Sequence, residues 1–254
     1  VAPAGFAADG ALEINAACVA TGCFPGDTPG IPVQTQENQS YVLTSNIAVG
    51  AVSTVGVVLE AGSTLDLGGF TIAGEVTCTG APAVCSEQGF NGGGVIARRG
   101  SVVRNGTIRG IRSFGIQADP FVRVEKMLIE QNAAGGIAAG NDGATGCIIE
   151  DSRILQNGSG GISFAANDGA LGARVVRNTI HGNSYAGVTG AISLLVDNAI
   201  TSNGNLGAIL NYSGSVTGFA GNQIYDNNGG NANPQMSGGV SIGTNVCGGD
   251  TICP

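Results

Sequence analysis

Isoleucine recurs along the chain at intervals of 20 to 36 residues, with an apolar residue five positions before each occurrence. Stretches between them, such as Val122-Arg123-Val124, alternate apolar and polar residues with the period of a β-strand. A repeat of this length is typical of a solenoid of stacked coils. The recurring isoleucines, called anchors below, are Ile47, Ile72, Ile108, Ile129, Ile154, Ile180, Ile200 and Ile224. The apolar residues before them are Val42, Leu67, Val103, Val124, Ile149, Val175, Leu195 and Phe219.

Asparagine and glycine keep fixed distances from the anchors. An asparagine follows five consecutive anchors by three positions, which predicts a structural ladder of side-chain amides bonded from coil to coil. A glycine follows five anchors by seven positions and predicts a second corner in each coil. The asparagines are Asn132, Asn157, Asn183, Asn203 and Asn227. The glycines are Gly115, Gly136, Gly161, Gly187 and Gly207.

Two stretches carry a family resemblance. The segment from Leu65 to Gly74 is similar to an entry coil, and the segment from Val175 to Asn183 is similar to one repeat unit, of the right-handed parallel β-helix family. The resemblance spans roughly residues 40 to 245 and implies an all-β, right-handed parallel β-helix of about eight to nine coils. This pectate-lyase-like superfold includes lyases, hydrolases, epimerases, adhesins and phage spikes, so the fold alone implies no particular chemistry.

The predicted organisation is a single domain over residues 1–254. We expect an N-terminal cap over 1–39, coils over 40–227 with an insertion at 75–93, and a C-terminal cap over 228–254. Caps are expected because the ends of a solenoid expose unpaired strand edges. Association of rods end to end stays open as an alternative to protected ends.

Six of the seven cysteines form three close pairs in irregular sequence, and Cys147 stands alone in an apolar run. Local pairs of this kind indicate disulfides that clip the caps and the insertion of an exported protein. The expected location is therefore secreted, on a cell surface or periplasmic. The predicted disulfides are Cys18–Cys23, Cys78–Cys85 and Cys247–Cys253.

Charge and hydropathy narrow the range of partners. The net charge of −8 argues against nucleic acid as a partner, because phosphates would be repelled. No apolar run approaches the ~18 residues of a membrane span. All ten Lys and Arg residues lie between Arg98 and Arg177, so a mixed-charge belt occupies the middle of the chain.

Equivalent positions of successive coils become neighbours, so the belt predicts outward rows of charged side chains. One interpretation is a groove for an acidic polysaccharide, with basic groups that neutralise its carboxylates. The other is a ladder of ion pairs between coils, which the alternating signs favour. One predicted row is Asn105, Lys126, Asp151, Arg177 and Asp197, and the row beside it begins Arg104, Glu125 and Glu150.

Two features bear on proton-transfer chemistry. His181, the only histidine, is a candidate general base near neutral pH, although a plain surface role is the favoured interpretation. The dipeptide Asp119-Pro120 resembles the start of the Asp-Pro-His motif of β-helix uronate epimerases, with Phe121 in place of the histidine.

Two Asn-Asp-Gly-Ala loops lie 26 residues apart and are expected to stack. Their acids and amide oxygens would suit calcium, which is the only cofactor that the sequence suggests. A plain turn is the favoured interpretation, because Asn-Asp-Gly is also a preferred turn sequence. The candidate calcium ligands are Asn141, Asp142, Asn167 and Asp168.

Two hypotheses for function follow. The first is a secreted, non-catalytic module, structural or adhesive, that binds glycan or calcium weakly; it rests on the dominance of residues that maintain the repeat. The second is a polysaccharide-active enzyme of the uronate lyase or epimerase type that uses the outward face of the central coils. The candidate catalytic residues would be Asp119, Asp142, Asp168, Lys126, Arg177 and His181.

Overall fold

The computed structural model describes residues 10–50, 55–86, 93–140, 145–164, 172–210, 216–248 and 253. Within these residues the chain forms 28 β-strands and one short helix, α1 (Ala16–Val19). The strands are β1 (Leu12–Ile14), β2 (Val33–Gln34), β3 (Ser40–Leu43), β4 (Ile47–Ala48), β5 (Val57–Leu59), β6 (Thr64–Asp66), β7 (Thr71–Ala73), β8 (Cys78–Thr79), β9 (Val84–Cys85), β10 (Gly93–Ala97), β11 (Val102–Arg109), β12 (Phe114–Ala118), β13 (Arg123–Glu130), β14 (Gly135–Ala139), β15 (Ile148–Glu150), β16 (Arg153–Leu155), β17 (Ile162–Phe164), β18 (Arg174–Val176), β19 (Thr179–His181), β20 (Val188–Thr189), β21 (Leu194–Val196), β22 (Ala199–Thr201), β23 (Ala208–Ile209), β24 (Gly218–Ala220), β25 (Gln223–Tyr225), β26 (Met236–Ser237), β27 (Val240–Ser241) and β28 (Val246–Cys247).

The strands form two long parallel sheets, as the prediction of a right-handed parallel β-helix requires. In the coils from β15 onward the chain passes through two strands of one sheet, called sheet A, and then one strand of the other, called sheet B; in the two coils before them, β11 and β13 each cross sheet A as one unbroken strand. For example, β15 and β16 lie in sheet A and β17 in sheet B, and they pair with β18, β19 and β20 of the next coil. In the described part of the chain, sheet A holds 17 strands and sheet B nine.

The anchors form one continuous inward row of sheet A, as predicted. Consecutive anchors are register partners from Ile47 through Ile224, and the row continues to Cys247. All eight anchors are at most 2% exposed. Burial of branched side chains on both sheets supplies the main driving force for stacking.

The apolar residues five positions before the anchors form one inward row from Val103 onward, but not in the first two coils. There, Tyr41 and Leu65 occupy the row in place of Val42 and Leu67, because Tyr41 pairs with Leu65 and Leu65 with Val103. The bend between β6 and β7 contains extra residues with left-handed backbone at Gly68 and Gly69, which lengthens the spacing to the anchor.

The predicted asparagine ladder is confirmed. The side-chain oxygen of Asn132 accepts the backbone N–H of Ile111. From Asn157 onward each side-chain oxygen accepts hydrogen bonds from the backbone N–H and the amide of the preceding asparagine; Asn157 donates both to Asn183, at 3.0 and 2.9 Å. The ladder ends on Gln235, whose Oε1 accepts the same two bonds from Asn227. All of these amides are buried, so they satisfy turn groups that water cannot reach.

A second asparagine ladder is formed by residues that lie two positions before the anchors. This ladder was not predicted from the sequence. Asn178 donates its backbone N–H and its amide to Asn198, and the pattern repeats along the rod. Ser152 begins this ladder by donating its backbone N–H to Asn178. The members are Ser152, Asn178, Asn198, Asn222 and Asn245.

The glycine row is required by close approach of neighbouring coils. A Cβ built on Gly161 would lie 2.8 Å from Cγ2 of Ile180 and 2.9 Å from Nδ2 of Asn183. A Cβ at Gly115, Gly136, Gly187 or Gly207 would likewise lie within 2.6 Å of the next coil's anchor. Glycine therefore lets the backbone of sheet B pack directly on the next coil's anchor and ladder.

All three predicted disulfides are present, and Cys147 is free and buried. At the N-terminal end the ring of Phe24, beside Cys23, packs on Tyr41 with centroids 5.1 Å apart. Stacked strands also occur inside both segments predicted as caps: β1 pairs with β3, β2 with β5, and β26, β27 and β28 with strands of the preceding coil.

The predicted insertion contains an antiparallel hairpin, β8 and β9, closed by the Cys78–Cys85 disulfide. The hairpin lies along the outside of the coil stack. Ala83 donates its backbone N–H to the carbonyl of Gly182, and Gln156 Nε2 donates to the carbonyl of Gly80, at 2.9 and 3.1 Å. Its inner side chains form a small cluster with Ala133.

Candidate functional site

The predicted row of the charged belt lies on the outer surface of sheet A, at the bend midway along the part of each coil that crosses this sheet. The bend residues share a left-handed backbone with φ between 50° and 58°. Asparagine and aspartate, three of the five residues in this row, are the side chains that tolerate this conformation best after glycine. The predicted row therefore forms these bends: Asn105, Lys126, Asp151, Arg177 and Asp197.

The belt is a network of ion pairs between coils. Arg177 binds both carboxylate oxygens of Asp151, at 2.7 and 2.8 Å, and its Nη2 also donates to Glu150 at 3.0 Å. From the opposite side, Arg123 pairs with Glu150 and, at 2.8 Å, with Glu125. Glu150 is therefore held between arginines of the preceding and following coils. We call Arg123, Glu125, Glu150, Asp151 and Arg177 the charged network.

The network sets the protonation of its members. The hydrogen bonds from Arg177 hold the pKa of Asp151 below its usual range, with further contributions from the charges of Arg177, Lys126 and Arg123. The same contacts raise the pKa of Arg177 above its ordinary value. Asp151 is therefore a carboxylate and Arg177 a cation near neutral pH, and neither is poised to exchange a proton.

Asp119 lies at a different place, directly after β12 of sheet B. Its carboxylate pairs with Arg98 at 3.5 Å. The neighbouring Arg99 stacks over the ring of Phe121 at 4.6 Å, and that ring is 46% exposed. Phe121 also has a left-handed backbone, φ 63°, which is uncommon for a bulky residue.

His181 lies on the outward face of β19, in sheet A. Its Nδ1 is 2.9 Å from the hydroxyl of Thr201 on the next coil. Its register neighbours are Leu155 and Thr201, and Tyr225 follows Thr201 in the same row. This row places a hydroxyl beside the imidazole, and no carboxylate is among these neighbours.

The structure thus distributes the sequence-predicted candidates over three places. Arg177 joins Asp151 and Glu150, Asp119 joins Arg98, and His181 joins Thr201. Lys126 lies one coil before Asp151 at the equivalent bend. The remaining candidates lie outside the described residues: Asn141, Asp142, Asn167 and Asp168.

Neither a metal-binding cluster nor a membrane-spanning helix occurs among the described residues. No group of three or more His, Cys, Asp and Glu side chains in this part of the chain is arranged to hold a metal ion. The same residues contain no helix with the length and apolar character needed to cross a membrane.

These features define a right-handed parallel β-solenoid with a charged, internally paired belt on sheet A. A family model described as the right handed beta helix region matches residues 29–191. The chain therefore belongs to the right-handed β-helix family.

Two solved structures are similar to this chain: the periplasmic alginate epimerase AlgG, with a TM-score of 0.39, and a point mutant of that enzyme, with 0.40. In both comparisons the identity is 10%, covering 92% of this chain and 82% of the other. No curated protein matches the sequence.

Proposed function

We propose that this chain is a non-catalytic module of an exported protein, with a structural or adhesive role. One observation carries the proposal: Arg104, Arg123 and Arg177 of the central face are already engaged with acids of neighbouring coils. Arg177 makes three hydrogen bonds to Asp151 and Glu150. An acidic polymer would have to displace these carboxylates, so the face is better suited to holding coils together than to binding polyuronates.

The proposed location rests on the disulfides. Three disulfides close loops of five to seven residues' separation at the two ends and the hairpin. Such bonds persist in oxidising compartments and are rare in the cytosol. We therefore assign the module to a cell surface, the extracellular space or the periplasm.

The test incubates the protein with a panel of polyuronates, with and without calcium. Absorbance at about 235 nm reports β-elimination, and proton NMR of the sugars reports epimerisation. We expect no change in either signal, and unaltered migration of the protein in gels that contain the polymers. An activity that Arg177→Ala abolishes and the matched outward variant Thr179→Ala retains would overturn the proposal.

The second candidate is a polysaccharide-active enzyme of the uronate lyase or epimerase type. The turn after β12 favours it, because an acid, Asp119, lies there beside Arg98 and near an exposed aromatic ring, Phe121. The same assay tests it with Asp119→Asn, which keeps the shape of the side chain and removes its charge. An epimerisation signal that Asp119→Asn removes would establish this enzyme.

Calcium binding by the two Asn-Asp-Gly-Ala loops remains a proposal that rests on the sequence alone. It predicts that calcium raises the melting temperature relative to chelator, because a ligand that binds only the folded state stabilises it. The double variant Asp142→Ala, Asp168→Ala should lose that shift. An equal shift in wild type and variant would place any calcium elsewhere.

A further inference from the structure

Five Asn-Gly dipeptides occur in the chain, and each can undergo a reaction between backbone and side chain. The backbone nitrogen of the glycine attacks Cγ of the asparagine, the new N–C bond closes a succinimide ring, and the side-chain nitrogen leaves as ammonia. Water then adds to either ring carbonyl, the ring C–N bond breaks, and aspartate or isoaspartate remains. The reaction consumes only water, so the surroundings of each dipeptide decide whether it occurs. The five asparagines are Asn91, Asn105, Asn157, Asn203 and Asn228, of which Asn91 lies outside the described residues.

Two of these asparagines, Asn157 and Asn203, belong to the first ladder and are buried. The side-chain nitrogen of Asn157 donates to Asn183 at 2.9 Å. The backbone nitrogen of the glycine that follows it, which would be the attacking atom, donates to the carbonyl of Asn132 at 2.8 Å. Asn203 and its glycine repeat this arrangement with Asn227 and Asn183. Ring closure at either position would break these buried bonds.

Asn105 is half-buried in its bend of sheet A, and its side-chain nitrogen donates to Oδ2 of Asp66 at 3.0 Å. The attacking nitrogen there belongs to Gly106, which lies inside β11 with Met127 as its register partner. A Cβ built on Gly106 would collide with Cβ of Leu67. The neighbouring coil therefore leaves no room for the rotation that ring closure requires.

Asn228-Gly229 lies in the turn that follows the last asparagine of the first ladder, and it is held much less tightly. The side-chain nitrogen of Asn228 donates to the carbonyl of Pro234 at the surface, at 3.4 Å. Gly229 is exposed, and within the described part of the chain its backbone nitrogen donates no hydrogen bond. A Cβ built on Gly229 would have its nearest non-adjoining atom at 3.5 Å. The attacking nitrogen is therefore unengaged and sterically open.

The backbone of this turn can rotate into the geometry of ring closure at small cost. Rotation about the Cα–C bond of Asn228 breaks one hydrogen bond, which Nδ2 of Asn233 donates to the carbonyl of Asn228 at the surface. Gly229 and Gly230 follow with φ values of 78° and 126°, a region that glycine adopts without strain. The chain beyond the ring can therefore adjust to it.

We propose that Asn228 is a site of spontaneous deamidation in the folded protein, whereas the fold protects the other three Asn-Gly dipeptides of the described residues. The product carries a new carboxylate in the turn. Its isoaspartate form also routes the main chain through Cβ and so lengthens the segment that leads to Gln235. Because Gln235 closes the first ladder by accepting two bonds from Asn227, the modification acts on the C-terminal end of that ladder.

Incubation of the native protein at neutral and mildly alkaline pH, followed by peptide mapping with mass spectrometry, measures each site separately. Deamidation should occur in the peptide that contains Asn228, and it should accelerate with pH because the attacking nitrogen must lose its proton. At Asn157 and Asn203 it should be slower by about tenfold or more, since these sites react only after local unfolding. In the chain unfolded by guanidinium chloride, the rates at the three sites should become similar.

The variant Asn228→Gln keeps an amide in the turn but lengthens the side chain beyond the reach of succinimide closure, so it should abolish the reaction in this peptide. The matched control is Asn233→Gln in the same turn, which should leave Asn228 reactive. The proposal is overturned if Asn228 stays intact in the native protein while the unfolded chain reacts. It is also overturned if Asn157 or Asn203 reacts as fast as Asn228 in the native protein, or if Asn228→Gln leaves deamidation of the peptide unchanged.

Discussion

Replacing Asn183 by alanine is the most direct test of what holds the coils together. Asn183 is fully buried, and its Oδ1 accepts both the backbone N–H and the amide of Asn157. Its Nδ2 donates to Asn203 and to the carbonyl of Ile154. The substitution therefore interrupts the ladder in the middle of the rod.

The cost follows from the groups that lose partners. Two N–H donors of Asn157 lose their acceptor, and the carbonyl of Ile154 loses a donor. An orphaned buried group costs about 1 to 3 kcal/mol, so the three groups together imply a loss of about 3 to 9 kcal/mol in the free energy of unfolding. This is a large share of the roughly 5 to 15 kcal/mol typical of a folded domain.

Urea unfolding followed by far-UV circular dichroism measures this loss, since the chain contains no tryptophan for fluorescence. The midpoint should fall by about 1 M or more with an unchanged slope. The control is Thr179→Ala, an exposed position of the same coil, which should shift stability by no more than ~0.5 kcal/mol. If Asn183→Ala unfolds at the same midpoint as this control, the ladder does not carry the stability assigned to it.

Three further predictions concern the glycine row, the charged network and the free thiol. Gly161→Ala should lower the urea midpoint by the equivalent of about 1 to 3 kcal/mol through overpacking, whereas Gly50→Ala, where a Cβ meets no atom within 4 Å, should not; equal midpoints would contradict the close-approach argument. Arg177→Ala should raise the pKa of Asp151 toward its ordinary value, as carbon NMR of the carboxyl group would show. Because the folded pKa of Asp151 is depressed, its contribution to stability is present above the ordinary aspartate pKa of ~3.9 and is lost as the pH falls through the folded pKa. The melting temperature of wild type should therefore fall more than that of the variant between about pH 5 and pH 2. If the two melting temperatures fall in parallel with pH, the pairing is refuted. Cys147 is buried, and burial raises the pKa of its thiol. A thiol reagent should therefore label it only after the protein is unfolded without reductant, and mass spectrometry should then show one labelled group per chain. Rapid labelling of the native protein would contradict this placement.

The parts of the fold that repeat were predictable from the sequence. Each anchor is the register partner of the anchors in the preceding and following coils, as Ile154 is of Ile129 and Ile180. The position of one anchor therefore predicts the position of the whole row. The first asparagine ladder was predictable for the same reason. The second was missed because Ser152 begins it, and the equivalent positions of earlier coils hold Met127 and Gly106.

The parts that depend on bend length and side-chain choice were not predictable. The longer bend after β6 places Leu65, rather than Leu67, in the row that continues with Val103, and the spacing of Leu67 to its anchor does not reveal this shift. The predicted outward rows identified the neighbours of Glu150 on adjacent coils. They did not predict that Arg123 and Arg177 both form ion pairs with it. Long side chains choose among several partners at similar distance, so their pairing is decided by the folded geometry.

The hairpin stapled by Cys78–Cys85 also bears on how the rod resists a pull on its ends. Coils of an ordinary solenoid touch only their neighbours and can peel away one at a time. Here the hairpin branches from the coil stack after Ile72. It nevertheless forms a hydrogen bond with Gly182, several coils further on, and lies against Gly204. Under tension, the coils outside its span, those before Ile72 and those of residues 216–248, should detach first, and the coils that it spans should give way together as one mechanical block.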